Sequence, residues 1–206
     1  MNYLAHFWLA GPRVTDRVGG LLGDFVKGPL PCGLPPDLAA GVALHRKIDV
    51  YADEHPAFIA SRRRFSPLRR RYAGIIVDLF YDHILARDWP RYQGGTLADA
   101  TEVYYAEVRQ YQTWLPERLQ RLLPRMQTED WLASYARLDA VGTALDNLSR
   151  YRLRAGNPLL GAMEELVQHY GALSQDAAEF LPAARTYVAQ SLAERDIMAW
   201  QQQRDR

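Results

Sequence analysis

Histidines and carboxylates in the first 90 residues stand on apolar sequence rather than in polar loops. The stretches are MNYLAHFWLA (1–10), GGLLGDFVKG (19–28), GVALHRKID (41–49), DEHP (53–56) and GIIVDLFYDHILARDW (74–89). An ionised side chain away from water is costly unless it is paired, hydrogen-bonded or bound to a metal. Several of them on apolar helical sequence point to a site inside a helical protein.

His45 and Asp49 are four residues apart, so on a helix they share a face, and Asp53 continues the row. A neutral imidazole and an ionised carboxylate one turn apart grip a divalent metal through nitrogen and oxygen. The alternative is a core histidine that the Asp merely orients. Asp78 and Asp82 are also one turn apart, among Ile75, Ile76, Val77, Leu79, Phe80, Tyr81, Ile84 and Leu85. A helix apolar nearly all round is central. Two acids on one of its faces repel unless a cation lies between them or arginines pair with them, and His83 stands beside Asp82. Asp24 follows Gly23, where backbone or ligand can approach closely. His6 sits amid Leu4, Ala5, Phe7 and Trp8, with Asn2 one turn before it. His55 precedes Pro56, where a capping or surface role is the default, and His169 stands alone.

These residues need helices to position them, and the chain carries helix signals throughout with no convincing strand. The pattern predicts a short helix over Asn2–Ala10, closed by Gly11-Pro12, and a second from Thr15 to about Lys27. A Pro- and Gly-rich loop (29–36) precedes a helix capped by Asp37 and running to about Glu54. Pro56 opens a short piece. Ser66 as N-cap with Pro67 at the first position starts the acidic helix, which runs to about Arg87. Thr96 opens a long helix with Asp99 three residues on, and Pro116 kinks or restarts it. Thr128 is a further cap. Asn157-Pro158 and Ser174 start two more helices, and Pro182 breaks the last. Tyr104, Tyr105, Tyr111 and Trp114 are core or a subunit contact.

A chain of 206 residues buries a full core as one domain, and its net charge of +1 gives no bulk case for nucleic acid or membrane. Charge is unevenly placed all the same. Arg62, Arg63 and Arg64 are followed by Arg69, Arg70 and Arg71, a basic rim suited to a phosphate-bearing or acidic partner. The aromatic interleaving that stacks bases is missing there. Cys32 is the only cysteine, which excludes an internal disulfide and a Cys-based zinc site and fits a reducing cytosol. No Lys or Arg precedes the apolar start, and no uncharged apolar run reaches the roughly 18 residues of a membrane span. The expectation is a soluble cytoplasmic protein. Phosphate-loop, dinucleotide and HExxH signatures are absent.

In this order, the five blocks closely resemble the acyl carrier protein phosphodiesterases, also called acyl carrier protein hydrolases. DEHP is followed by Ser61-Arg62, and the last block extends back as RRYAGIIVDLFYDHILARDW. The likeness lies in the first 90 residues; the rest is compatible in length and helical character. It implies an HD-like helical bundle, a distant relative of the HD-type metal phosphohydrolases. It also implies a hydrolase dependent on Mn²⁺, or another divalent cation, acting on holo acyl carrier protein. The reaction would release 4′-phosphopantetheine from a serine and leave the apo form. HD enzymes carry an adjacent His-Asp pair, which this chain lacks: Asp82-His83 is reversed, and His45 and Asp49 are a turn apart.

Joined, the two readings give one all-α domain over residues 1–206. Metal ligands are drawn from His6, Asp24, His45, Asp49 and Asp78. Catalytic roles fall to Asp24, Asp78, Asp82 and His83. Lys27, Arg46, Arg62, Arg63, Arg64, Arg69, Arg70 and Arg71 bind substrate, the arginine clusters as a docking face. Two rivals stay open: an HD-like phosphohydrolase of a small nucleotide or phosphoester, and a non-enzymatic helical binding module. Oligomeric state is open.

Overall fold

Two glycines bring the first long helices together. The computed structural model describes residues 1–151 and 153–204, and helix α2 (Val14–Leu22) crosses α3 (Pro36–Glu54) at Gly19 and Gly41. A Cβ on Gly19 would lie 2.4 Å from the Gly41 carbonyl carbon, and one on Gly41 would lie 2.4 Å from the Thr15 oxygen. Only hydrogen fits between these backbones, so the helices pack at closer range than side chains allow. Helix α1 (Tyr3–Leu9) lies against α2 and against α5 (Ala73–Arg87).

Helix α5 is the centre of the molecule. Ile76, Val77, Leu79, Phe80, Tyr81, Ile84 and Leu85 are all buried, so both sides of the helix face core. It packs on α1, on α4 (Pro56–Arg63), on α10 (Leu138–Tyr151) and on α12 (Tyr170–Arg204). Each such large side chain contributes roughly 1.5–3 kcal/mol through burial. Helices α6 (Trp89–Tyr92), α7 (Leu97–Gln110), α8 (Glu117–Thr128), α9 (Trp131–Ser134) and α11 (Ala162–Gln168) complete the structure. One continuous apolar core runs from Met1 to Val188. The described residues form twelve α-helices and no strand, an all-α domain as expected. None of these helices is long and apolar enough to cross a membrane.

Buried ion pairs join distant segments to α2. Arg195 of α12 grips Asp16 with both nitrogens at 2.7 and 2.6 Å, and Arg17 pairs with Glu107 of α7. Losing one partner of such a pair is more damaging than the pair is stabilising, because a buried charge is left alone.

Several boundaries differ from the sequence expectations. Helix α2 starts after Arg13 and ends at Gly23, so Asp24 lies in a turn and not on the helix. Pro35 and not Asp37 precedes α3. The acidic helix begins at Ala73, not at Pro67. Ser66 turns its N–H and hydroxyl to Glu165 of α11, both at 2.8 Å, and Arg69 joins the same carboxylate. That tertiary anchor outcompetes capping and leaves a 3-10 turn at Arg70–Tyr72. Asp130, and not Thr128, caps the next short helix by accepting from the Ala133 N–H. Asn157 closes a turn before α11, Ser174 lies inside α12, and α12 runs unbroken through Pro182. As expected, Thr96 caps α7 through the Asp99 N–H, α8 restarts after Pro116, and His55 caps α4 by accepting from Ala57.

Candidate metal centre

Helices α1 and α3 each bring one imidazole to the same carboxylate. His6 Nε2 is 3.2 Å from Asp49 Oδ1, and His45 Nε2 is 3.1 Å from Asp49 Oδ2. The two rings stack with centroids 3.8 Å apart. These three side chains offer ligand atoms within 4.8 Å of one another. The histidines are buried, whereas Asp49 is 41% exposed, so the cluster opens to solvent on the carboxylate side.

Glycines of the 19–28 stretch make room for the imidazoles. A Cβ on Gly23 would lie 2.1 Å from His45 Cγ, and one on Gly20 would lie 3.3 Å from the His6 carbonyl oxygen. Gly20 also fixes the His45 tautomer, because its carbonyl lies 2.7 Å from Nδ1 and can only accept. Nδ1 therefore carries hydrogen, and a neutral His45 turns the Nε2 lone pair toward Asp49. Two acceptors 3.1 Å apart repel unless a proton or a cation lies between them. An imidazole pinned through its second nitrogen is the usual preparation of a metal ligand.

Asp78 of α5 joins the cluster from the other side. The Met1 α-ammonium lies 2.8 Å from Asp49 Oδ1 and 3.2 Å from Asp78 Oδ1, so the carboxylates already enclose one positive charge. Burial alone would lower the affinity of that amine for its proton, but Asp78 and Asp49 raise its pKa to about 11. His6 Nδ1 is buried and, among the described residues, has no hydrogen-bond partner, and the buried Asp78 Oδ1 has the α-ammonium alone beside it. Burial and the neighbouring His45 push His6 down to about 3, which keeps it a neutral nitrogen ligand. Burial would raise Asp49, yet the imidazoles of His45 and His6 and the α-ammonium beside it hold it well below the usual carboxylate range. Asp24 is half-buried in its turn, with the charges of His45, the α-ammonium, Asp49 and Lys27 acting on it; burial raises its pKa. The donor set of neutral nitrogen and carboxylate oxygen fits a divalent cation.

The remaining expected site residues have other contacts. Asp82 is fully buried and accepts from Asn2 Nδ2, Leu4 N and Ala5 N at 2.8–2.9 Å. It thus satisfies the free amide hydrogens at the start of α1. His83 bonds the Tyr135 carbonyl through Nδ1 and the Tyr170 hydroxyl through Nε2, both at 2.8 Å. Lys27 is exposed near Asp24, and Arg46 donates to the Val26 carbonyl at 3.3 Å. Of the six clustered arginines, three are engaged: Arg62 with Asp53, Arg64 with Asp176 and Arg69 with Glu165. Arg63, Arg70 and Arg71 are exposed, and among the described residues no carboxylate pairs with them. The backbone groups at this centre, the Gly20 carbonyl and the α-amine, carry no signal in a residue pattern. In the sequence, Gly23 is the position that indicates a close approach.

Comparison with known proteins follows the same residues. A family model described as acyl carrier protein phosphodiesterase matches residues 1–184. A protein of that name from Yersinia enterocolitica is 33% identical over 184 residues, covering 89% of this chain and 95% of its own. One from Serratia proteamaculans is 33% identical, covering 88% and 94%. One from Escherichia coli is 34% identical over 185 residues, with the same coverage. No solved structure matches the chain. A match over this length, through every stretch that builds the centre, places the chain in the acyl carrier protein phosphodiesterase family.

Proposed function

We propose that this protein hydrolyses the phosphodiester that joins 4′-phosphopantetheine to a serine of holo acyl carrier protein, with a divalent cation at the described centre. The observation that carries the reading is the meeting of His6, His45 and Asp49 in a chain of this family. Water adds to phosphorus, the bond to the serine oxygen breaks, and the serine takes a proton. His6, His45 and Asp49 would hold the cation, with Asp78 and Asp24 beside it, and Mn²⁺ is the ion of the proposal. Such an ion supplies Lewis-acid polarisation of the phosphoryl oxygens and makes water more acidic.

The chain's own groups have distinct tasks in this reading. Asp78 is raised by burial and stands beside the cluster, which suits it to take a proton from water. Lys27 and Arg46 hold phosphoryl charge. Asp82, first expected in the chemistry, instead positions His6 by capping α1. His83, likewise expected there, braces α5 against Tyr135 and α12. Docking of the carrier protein falls to Arg63, Arg70 and Arg71, which among the described residues form no ion pair. Arg70 and Arg71 stand in the 3-10 turn that leads into α5, the helix that carries Asp78. We assign the reaction to the cytoplasm, where the lone Cys32 fits a reducing environment.

Intact-mass spectrometry of holo acyl carrier protein, incubated with the enzyme and either Mn²⁺ or EDTA, tests the proposal. The expected result is metal-dependent loss of the whole phosphopantetheine mass. No change with folded, metal-loaded enzyme would overturn it, and turnover of small phosphoesters alone would replace it with the HD-like phosphohydrolase reading.

A further inference from the structure

The turn after α2 carries the acid Asp24 on one side and aromatic and cationic groups on the other. Phe25 stacks with Tyr3 at 6.3 Å between ring centroids. The guanidinium of Arg118, from the first turn of α8, stands 6.0 Å over the same Phe25 ring. A cation held over an aromatic face keeps its N–H donors free for a further partner. Arg118 is exposed, and among the described residues no carboxylate pairs with it, whereas Arg121 one turn on pairs with Glu117. Burial raises the Tyr3 hydroxyl, and the charges of Asp24 and Arg118 act on it in opposite directions. Lys27 stands on the same turn, where its charge acts on Asp24, and Arg46 reaches it from α3 to donate to the Val26 carbonyl. Arg118 of α8, Arg46 of α3 and Lys27 of the turn itself thus gather at residues 24–27, where Asp24 is the acid of the turn, and among the described residues none of the three forms an ion pair.

We propose that Arg118, seated on Phe25, is a substrate-positioning residue that takes the phosphate oxygens of the phosphodiester and of the released phosphomonoester. The inference rests on the phosphodiesterase reading and extends the site to α8, far in sequence from the blocks that form the centre. The planar fork of Arg suits a phosphate better than the point charge of Lys. The ligand gains a negative charge on hydrolysis, so the same contact strengthens in the product.

The test pairs kinetics on holo acyl carrier protein with isothermal titration of inorganic phosphate into the Mn²⁺-loaded enzyme. Arg118→Ala is expected to raise KM about tenfold and weaken phosphate binding by a similar factor, with kcat within about threefold. Arg118→Lys restores part of both, Phe25→Leu weakens both, and the control Arg121→Ala leaves both unchanged. Wild-type KM and phosphate affinity in folded Arg118→Ala overturn the inference and leave the activity standing. If the wild type does not turn over holo acyl carrier protein, the activity falls instead, and loss of phosphate binding in Arg118→Ala still decides the role of this residue.

Discussion

Gly23 touches His45 so closely that a methyl group cannot fit between them: the Cβ of any other residue would lie 2.1 Å from the ring. The glycine is therefore part of the candidate metal centre although it offers no ligand atom. Gly23→Ala is expected to swing the imidazole off the Gly20 carbonyl and lower Mn²⁺ affinity by about 10–100-fold. It should also cost about 1–3 kcal/mol in stability through overpacking. His45→Ala removes the ligand without the clash and separates the two effects. Mn²⁺ titration followed by electron paramagnetic resonance reads the affinity, and wild-type binding by folded Gly23→Ala contradicts the assignment.

Asp78 and Asp82 lie one turn apart on α5, yet their surroundings assign them opposite tasks. Asp82→Ala leaves the Leu4 and Ala5 amides and Asn2 without their acceptor, so it should destabilise the fold by about 2–3 kcal/mol. Part of the lost activity should return when the fold is stabilised by excess Mn²⁺. Asp78→Ala removes a largely buried carboxylate and relieves its repulsion with Asp49, which still holds the α-ammonium. It should abolish turnover while the melting temperature stays near that of the wild type. Thermal unfolding measured beside turnover for both variants decides the matter, and equal loss of stability in the two would defeat the division of labour.

Asp82 also gives stability a pH dependence of known sign. Burial raises its pKa from 3.8 to about 7, against the pull of the α1 amides and Asn2. A group that holds its proton more tightly when folded stabilises most below its unfolded pKa. That contribution, up to about 4 kcal/mol, is lost as pH rises from about 4 through about 7. Urea unfolding of wild type and Asp82→Asn at a series of pH values measures it. The stability difference between them should shift against the wild type across this window, then level off. A pH-independent difference would mean that the carboxylate stays ionised.

How far the sequence reveals this site depends on what kind of contact makes it. The helical spacing of His45 and Asp49 and the apolar surroundings of α5 locate two of its walls, because side-chain periodicity writes them directly. His6 and Asp49 are 43 positions apart, and nothing local says that α1 folds onto α3. Asp82 reads as chemistry in sequence because an acid on apolar sequence has the same signature whether it serves a metal or a helix terminus. Only the position of α1, opposite it in space, distinguishes them. Ser66-Pro67 carries a valid helix-start signal that Glu165, 99 residues on, overrides. Arg118 lies in a strongly amphipathic helix of ordinary appearance, and its seat on Phe25 is entirely tertiary.

The arginine clusters sort into two functional classes by their partners. Arg64 grips Asp176 of α12 with two nitrogens at 2.9 and 3.0 Å, and Arg69 joins Glu165 and the Pro158 carbonyl. Charge reversal at either should cost about 2 kcal/mol or more, since a partly buried acid then faces another. Arg62 and Asp53 are both well exposed, and loss of that pair should cost less than about 1 kcal/mol. Arg63, Arg70 and Arg71 have no such partner among the described residues and flank Leu68, which is 68% exposed. Reversing these three to Glu should leave the melting temperature unchanged. The same triple variant should raise KM for holo acyl carrier protein by about tenfold or more and flatten its dependence on salt. A small phosphoester, which makes no use of a docking face, should be turned over at an unchanged rate. Unaltered KM and salt slope in the folded triple variant would move the docking face elsewhere on the molecule.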